Sequence, residues 1–174
     1  MNRWCLPFVL LGVVLVLQAC RKDPGMEQPT DTPIGPTPLT LSVPSWAVDT
    51  VHALNLPYDN PLTVEGVALG RRLFYEKALS NDFSMSCATC HRQENAFSDP
   101  RQFSIGTDGS VGRRQGMAII NAAWDHFFFW DARALSLELQ AFGPVRNPID
   151  IANSWPVVVQ RLQQHPEYPE LFRR

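Results

Sequence analysis

The sequence lacks several features that would assign it to a common protein class. Its formal net charge is only −2 over 174 residues, which argues against a nucleic-acid-binding surface or a strongly electrostatic contact with a membrane. No internal repeat stands out. The apolar run at residues 6–17 has about a dozen residues and is short for the ~20 that a membrane-spanning helix needs. Nucleic-acid binding and a repeat architecture are therefore not expected.

Cysteine is also scarce, since the chain has only four. Cys5 and Cys20 lie in a segment that has the pattern of a targeting peptide, which leaves Cys87 and Cys90 for the folded part. Cysteine usage therefore implies no disulfide framework.

The N-terminus has the pattern of an exported lipoprotein. Arg3 supplies the positive start, residues 6–17 the apolar region, and Leu17-Gln18-Ala19-Cys20 resembles a bacterial lipobox. We expect residues 1–19 to be a signal peptide and Cys20 to be acylated, so that the protein is periplasmic and anchored to the outer or the cytoplasmic membrane. A membrane-spanning helix is the alternative.

Composition divides the remainder into two parts. Residues 20–45 are rich in Pro and Thr and have no apolar period, which is typical of an extended linker. Residues 46–174 are left for a folded domain of about 130 residues, enough for one hydrophobic core but not for two sizeable domains.

The most informative stretch is Cys87-Ala88-Thr89-Cys90-His91, because Cys-x-x-Cys-His is the attachment motif of a c-type haem. Two thiols about one helical turn apart can add to the two haem vinyl groups, and the adjacent imidazole then lies beneath the iron as its proximal ligand. Structural zinc would require a second ligand pair. A thioredoxin-like dithiol would require a βαβ pattern, whereas the flanking sequence indicates helices and loops.

Periodicity predicts a mainly α fold, a cytochrome c-like helical haem domain with long loops. Helices are expected at 60–79, opened by Asn60-Pro61, then at 117–124, 134–142 and from Ser154 to a stop at His165-Pro166. The Gly-rich and Ser-rich stretch 91–116 is expected to be a long ordered loop. The apolar face of the first helix contains Val64, Val67, Ala68, Leu73 and Phe74, and the third helix directs Leu135, Leu139 and Phe142 toward the core.

A series of separated motifs then resembles bacterial dihaem cytochrome c peroxidases, over their N-terminal haem domain and from about Leu54 to the end of this chain. The motifs occur in the family's order. They are Leu69-Gly70-Arg71-Arg72-Leu73-Phe74, Leu79-Ser80, Ser86-Cys87-Ala88-Thr89-Cys90-His91, Ser104-Ile105-Gly106, Asn121, Phe129-Trp130-Asp131-Ala132-Arg133-Ala134, Gln140-Ala141, Gly143-Pro144-Val145 and Pro166-Glu167-Tyr168.

The resemblance implies a role for individual residues. His91 would be the proximal ligand of the peroxide-reacting iron, with Cys87 and Cys90 as thioether anchors. Gln140 matches the glutamine that hydrogen-bonds peroxide. Asp150 falls where the family usually has a glutamate, and a carboxylate there can accept a proton from peroxide and return it to the departing oxygen. Because Asp is one methylene shorter than Glu, its reach differs from that of the family residue.

Two further residues complete the predicted site. Trp130 matches the tryptophan between the two haems, although an aromatic run such as 127–130 is more often core. Arg133 is predicted to bind a haem propionate, with a surface ion pair as the alternative. His52, His126 and His165 are not expected to bind iron. Met117 is a conceivable sixth ligand, with a gap-filling core position as the more usual role.

The chain departs from the family pattern in two places. Many members have a histidine just after Ser-Ile-Gly that caps the distal iron, whereas this chain has Thr107, which implies a site open to peroxide without reductive activation. The chain also ends at Arg174, near the end of the first domain. We therefore expect a fragment, a truncated product, or a second chain that carries the electron-receiving haem.

Together these residues predict an enzyme, a cytochrome c peroxidase that reduces hydrogen peroxide with electrons from a c-type cytochrome or a small copper protein. The resemblance also implies a calcium ion at the interface with the second half. One alternative is a monohaem electron carrier or haem-binding module without peroxidase turnover. Another is kinship with peroxidase-like enzymes that oxidise tryptophans of a partner protein.

Overall fold

Short helices joined by long loops make up the chain that the computed structural model describes, which is residues 35–47 and 53–174. Over these ranges there are isolated β-bridges but no strands, so the expected mainly α architecture is confirmed. The α-helices are α1 (Val64–Phe74), α2 (Cys87–Cys90), α3 (Leu137–Arg146), α4 (Trp155–Gln164) and α5 (Tyr168–Leu171). Single turns of 3₁₀ helix lie at Ser45–Ala47, Lys77–Leu79, Gln93–Asn95 and Ala122–Trp124.

The described residues from Gly35 onward form one unit. Thr37 donates from its backbone N–H and its hydroxyl to the carboxylate of Glu65, each at 2.8 Å, and Pro38 forms a bridge with Thr63. The described end of the predicted linker 20–45 therefore contacts the start of α1. Residues 1–34 and 48–52, which include the predicted signal peptide, Cys20 and His52, lie outside the described residues.

The core forms where α4 and α5 pack together. Its buried side chains are Leu79, Val145, Val158, Leu162 and Tyr168. Val158 and Leu162 are four residues apart and therefore share one face of α4. Tyr168 is fully buried, and its hydroxyl donates to the carboxylate of Glu76 at 2.7 Å. Burial, followed by this contact with Glu76, raises the pKa of Tyr168 to about 12.

Arg161 on α4 fixes the chain segment that leads to the Cys-x-x-Cys-His motif. Its guanidinium donates to the carbonyl oxygens of Ala78, Ser80 and Asn81 at 3.0, 2.6 and 2.9 Å. The fully buried hydroxyl of Ser80 accepts from the backbone N–H of Met85 at 3.2 Å. Since Met85 lies two residues before Cys87, these contacts tie the entry of α2 to the core.

The first helix is shorter than predicted. It begins after Thr63, whose hydroxyl accepts from the N–H of Gly66 at 3.0 Å, and it ends at Phe74 rather than near residue 79. Asn60 is not its cap, because residues 62 and 63 are held in extended backbone by their pairing with residues 38 and 39. Val64 and Val67 were expected on the apolar face but are 47% and 45% exposed. Leu73, which was also expected there, does pack against the core, together with Leu69.

Two other predicted helices also differ. Residues 117–124 form only the turn Ala122–Trp124, because the backbone of residues 117 and 119 bonds with the loop at His91 instead of within a helix. The helix predicted at 134–142 begins at Leu137, after its cap Ser136, and continues to Arg146. The prediction of a core face was wrong here: Leu135, Leu139 and Phe142 are 63%, 57% and 47% exposed.

The last predicted helix is confirmed. Ser154 precedes α4, a proline follows inside its first turn, and His165 ends it. The long loop 91–116 is also confirmed, with one helical turn and two isolated bridges. Among the described helices, none has the length and apolarity required to cross a membrane.

Candidate functional site

The Cys-x-x-Cys-His motif forms the single helical turn α2. The N–H of Ser86 donates to the Thr89 hydroxyl at 3.0 Å, and the N–H of His91 donates to the Cys87 carbonyl at 2.9 Å. Both cysteines are free thiols. Burial raises the pKa of each, and the charge of Asp99 raises that of Cys90 further. The turn therefore presents two protonated thiols beside one imidazole.

The imidazole of His91 is oriented by two backbone carbonyls. Its Nδ1 lies 3.1 Å from the carbonyl oxygen of Phe97 and 2.9 Å from that of Met117. Both partners can only accept, so Nδ1 carries the proton and Nε2 retains its lone pair. A neutral imidazole with a free Nε2 is the tautomer that binds iron, and carbonyl acceptors on the other nitrogen are its usual support. The donor set therefore fits a covalently attached haem.

The loop after His91 adopts a costly backbone to provide one of these carbonyls. Ala96 and Phe97 have φ angles of 53° and 54°, a left-handed conformation that costs non-glycine residues about 1–3 kcal/mol each. The N–H of Phe97 donates back to the carbonyl of Arg92 at 2.8 Å. The turn closes on itself and directs the Phe97 carbonyl at His91.

A buried ion pair supports α2 from the loop side. Asp99 is fully buried and receives bonds from Arg101 Nε and Nη2 at 2.8 and 2.7 Å, while Arg101 Nη2 lies 3.8 Å from Cys90 Sγ. Burial alone would raise the pKa of Asp99, but the hydrogen bonds from Arg101 and Ser104 outweigh it and lower that pKa to about 2. This pair was not predicted from the sequence, in which the turn-forming dipeptide Asp99-Pro100 is its one local sign.

A cavity of about 430 Å³ opens against the motif. Its wall includes Cys87 and Cys90 from α2 and His91, which follows that helix. Gln140 from α3 and Asp150 from the turn after α3 also line it. The long loop contributes residues between Ser104 and Met117, and the aromatic segment contributes Phe129, Trp130, Asp131 and Arg133. All seven residues predicted for the site thus line one cavity, although they are spread over 64 positions from Cys87 to Asp150.

Asp150 has surroundings that act on the pKa of its carboxyl group in both directions. Burial raises the pKa of its carboxyl group, whereas the hydrogen bond from Asn147 and the charge of Arg133 act in the opposite direction; the net pKa is raised. Asn147 Nδ2 donates to Asp150 Oδ2 at 2.6 Å. Asn147 was not identified from the sequence, although Asn-Pro is a turn-forming pair whose side chain often bonds to the following backbone.

Trp130 lies at the edge of the cavity rather than in the core. Its side chain is 64% exposed, and its indole N–H donates to the Gln115 carbonyl at 3.4 Å. Phe128 is the buried member of this aromatic run, at 7% exposure. Phe129 leans on α3 at Gly143, where an added Cβ would lie 3.1 Å from the Phe129 ring. A tryptophan in the hydrophobic core would be buried, so the structure places Trp130 beside the cavity rather than in the core.

Arg133 lines the cavity and also forms a surface ion pair. Its Nη1 donates to the carboxylate of Asp131 at 2.6 Å, and its guanidinium lies 3.5 Å from the centre of the Phe129 ring. Arg114 approaches the same carboxylate at 3.2 Å. Bonding from Arg133 lowers the pKa of Asp131. Three arginines, Arg113, Arg114 and Arg133, therefore line the cavity, where guanidinium groups can receive an anionic group.

The remaining sequence candidates lie elsewhere or contribute backbone only. His165 packs edge-on against Tyr168 in the core region, with ring centres 4.8 Å apart. Met117 orients His91 through its carbonyl. Thr107 donates its backbone N–H to the carbonyl of Asp150 at 3.1 Å. Within residues 35–47 and 53–174, no group of three or more His, Cys, Asp or Glu side chains could hold a metal ion.

Such a site, with two thiols and one iron-binding imidazole on a cavity wall, belongs to the class of c-type haem domains. The family model "Di-haem cytochrome c peroxidase" matches residues 64–174. The chain belongs to the di-haem cytochrome c peroxidase family, as the sequence motifs predicted. This family implies a c-type haem with iron as the cofactor.

Individual relatives are named either methylamine utilization protein MauG or cytochrome c peroxidase. The chain is 43% identical over 117 residues to methylamine utilization protein MauG of Methylorubrum extorquens. The matched region covers 67% of this chain and 33% of that protein. It is 36% identical over 118 residues to cytochrome c peroxidase Ccp of Escherichia coli, covering 67% and 25%. It is 30% identical over 154 residues to cytochrome c551 peroxidase of Pseudomonas aeruginosa, covering 82% and 44%. The chain thus spans less than half the length of each.

Solved structures agree in fold. A MauG-like protein associated with microbial copper homeostasis superposes with a TM-score of 0.66 at 33% identity, covering 75% of this chain and 39% of that one. The diheme peroxidase BthA of Burkholderia thailandensis superposes with a TM-score of 0.58 at 24% identity, covering 73% and 37%. The second likeness concerns the fold alone.

Proposed function

We propose that this chain is the peroxide-reacting half of a di-haem peroxidase, in which hydrogen peroxide, two electrons and two protons give two molecules of water. The observation that carries the proposal is the shared cavity, which brings the attachment motif to the same wall as Gln140 and Asp150. The names of two peroxidase relatives support it.

Three residues would hold the cofactor. Cys87 and Cys90 would form the thioether bonds, and His91 would bind the iron through Nε2. The haem supplies the redox-active iron at which the O–O bond is reduced. The carbonyls of Phe97 and Met117 hold the proton at Nδ1 of His91, which leaves Nε2 as the nitrogen that would bind the iron.

Two other residues would handle peroxide itself. The side-chain amide of Gln140 can donate a hydrogen bond to a peroxide oxygen and so fix its orientation. The Asp150 carboxylate would then take the proton from one oxygen and deliver it to the other as the O–O bond breaks, which turns the leaving oxygen into water. Partial burial of Asp150 brings its pKa closer to the working pH than that of an ordinary aspartate.

Electrons would come from outside the cavity. A reduced c-type cytochrome or a small copper protein is the proposed donor, with a second haem domain as the receiver. Trp130 is exposed at the cavity edge, so its indole would be available between the two haems to shorten the electron path. The calcium ion implied by the resemblance would lie at the interface with that second domain.

The cellular location follows the N-terminal pattern. Residues 1–19 would be removed, Cys20 would be acylated, and the protein would be anchored to the outer or the cytoplasmic membrane from the periplasmic side. Covalent haem attachment in bacteria takes place in that compartment, which agrees with the Cys-x-x-Cys-His motif.

The deciding experiment is a single turnover without an added donor. The protein, matured with haem in the periplasm and isolated in the ferric state, is mixed with one equivalent of H2O2 in a stopped-flow spectrometer. We expect a change in the haem spectrum together with consumption of peroxide, without prior reduction, because Thr107 replaces the capping histidine. A fully low-spin ferric spectrum that is inert to peroxide would instead support a monohaem electron carrier.

A further inference from the structure

Asn147 uses both ends of its side chain to build the turn that holds Asp150. Its Nδ2 donates to Asp150 Oδ2 at 2.6 Å, and its Oδ1 accepts from the N–H of Ile149 at 3.2 Å. Its backbone carbonyl also accepts from the N–H groups of Asp150 and Ala152, both at 3.0 Å. The side chain and the backbone carbonyl of Asn147 thus make four hydrogen bonds within this turn.

The long loop presses on the same turn from the other side. Gly106 is buried, and an added Cβ would overlap the carbonyl group of Ile149, with the carbonyl carbon only 2.6 Å away. The next residue, Thr107, donates its N–H to the carbonyl of Asp150 at 3.1 Å. The loop is itself fixed by the bond from the Gly112 N–H to the Ser104 carbonyl at 2.8 Å. Only a glycine permits so close an approach.

We propose that Asn147 is a positioning residue for peroxide reduction: its amide holds the Asp150 carboxylate toward the cavity in its proton-accepting form, while the contact at Gly106 fixes the turn. The inference rests on the proposed role of Asp150 as the proton acceptor. Asn147 lines the cavity beside Asp150, so the amide can do this without leaving the turn.

The neighbours of the Asp150 carboxylate show what the hydrogen bond from the Asn147 amide contributes. Arg133 and His91 line the same cavity as Asp150, and the charge of Arg133 favours the ionised carboxylate. Cys90 lines the cavity as well, and the charge of Asp150 contributes to the raised pKa of that thiol. Of these neighbours, Asn147 is the one that donates a hydrogen bond directly to a carboxylate oxygen, and a donated bond fixes direction as well as charge.

The test compares Asn147→Asp with Asn147→Ala in the haem-loaded protein. Asn147→Asp keeps nearly the same shape and the acceptor for Ile149 but removes the N–H donor. We expect either change to slow the second-order reaction with H2O2 by roughly 10- to 100-fold, as for a misdirected catalytic group. The acid limb of the pH–rate profile should move to higher pH in Asn147→Ala, because an ionised carboxylate that loses a donor binds its proton more tightly, and further in Asn147→Asp, where a second carboxylate beside Asp150 adds like-charge repulsion.

A matched control separates this effect from general destabilisation. Asn60 also donates its side-chain amide to a carboxylate, Glu138 Oε1, at 3.1 Å, on an exposed part of the chain. Asn60→Ala should leave the peroxide rate and its pH profile unchanged. If Asn147→Ala fails to fold, Asn147→Asp still decides the matter, because it preserves the bond to Ile149.

The background variant Asp150→Asn separates the two proposals. If Asp150→Asn reacts as fast as the wild type, the proposed role of Asp150 fails. If Asp150→Asn is slow but the Asn147 variants keep the wild-type rate and pH profile, only the inference about Asn147 is overturned. If both are right, Asn147→Asp should add little further loss in the Asp150→Asn background, because the two residues act through one carboxylate.

Discussion

The Nδ1 atom of His91 lies 2.9 Å from the carbonyl oxygen of Met117, a residue 26 positions later in the chain. This one contact assigns the tautomer of the imidazole and links the attachment motif to the far end of the long loop. A second carbonyl, that of Phe97, shares the same proton at 3.1 Å. The iron-binding nitrogen of His91 is thus defined by backbone groups outside the motif.

The first prediction concerns covalent attachment of haem. When the chain is produced with a periplasmic c-haem maturation system, it should gain the mass of one haem and retain haem stain through denaturing electrophoresis, because thioether bonds survive denaturation. The double variant Cys87→Ala with Cys90→Ala should lose both properties. Wild-type protein recovered only as unmodified apoprotein under these conditions would contradict the assignment.

The second prediction concerns Asp150. Replacement by asparagine preserves shape but removes the proton-accepting carboxylate, so single-turnover reaction with H2O2 should slow by roughly 10² to 10⁴, with haem content unchanged. Burial raises the pKa of Asp150, so the wild-type rate should fall as the pH drops through a value above that of an ordinary aspartate. The variant should lack this acid limb; an identical limb in both proteins would assign the titration to another group.

The third prediction concerns acid stability and the Asp99–Arg101 pair. The folded pKa of Asp99 is held at about 2, against an ordinary value of 3.8. A lowered folded pKa contributes stability above the unfolded pKa and loses it as the pH falls from about 4 to 2. Asp99→Asn should therefore cost on the order of 2 kcal/mol of unfolding free energy at neutral pH, and the difference should shrink between pH 4 and 2 in urea denaturation.

The fourth prediction concerns Arg161. Its guanidinium bonds three carbonyl oxygens, those of Ala78, Ser80 and Asn81. Arg161→Met leaves these acceptors without their partner and should lower the unfolding free energy by roughly 2–4 kcal/mol, at about 1–3 kcal/mol for each carbonyl that water cannot reach. The control Arg173→Met breaks an exposed pair with Glu170 and should cost about 0–1 kcal/mol. Equal melting temperatures for the two variants would be inconsistent with this anchoring role.

The fifth prediction concerns the membrane anchor, which rests on the sequence alone. Mature protein should begin at an acylated Cys20 and partition into detergent, whereas Cys20→Ser should remain without lipid. N-terminal sequencing and phase partitioning are the measurements. A mature N-terminus at another residue would show that the lipobox was misassigned.

Local features of the fold were determined by the sequence. Helix α4 was predicted at its observed bounds because its start, a serine before Trp-Pro, and its stop, His165-Pro166, are set by neighbouring residues in the chain. The attachment motif was likewise recognised from adjacent residues, because two thiols about one helical turn apart and the imidazole beside them form a characteristic spacing, and the structure places the two thiols on α2. These features depend on residues a few positions apart, so periodicity and spacing reveal them.

Only the tertiary structure decided how the distant parts meet. Segment 117–124 has an apolar composition suited to a helix, yet its backbone bonds to the loop at His91 and Phe97, and long-range bonds of that kind leave no periodic trace in the sequence. The motifs named Gln140 and Asp150 as candidates, but only the folded chain brings α3, its following turn and the attachment motif to the border of one cavity. Asn147 went unrecognised, and Gly106 was named only as part of a motif, because their roles depend on contacts made across the fold: a hydrogen bond to a carboxylate and a close approach that a side chain would prevent.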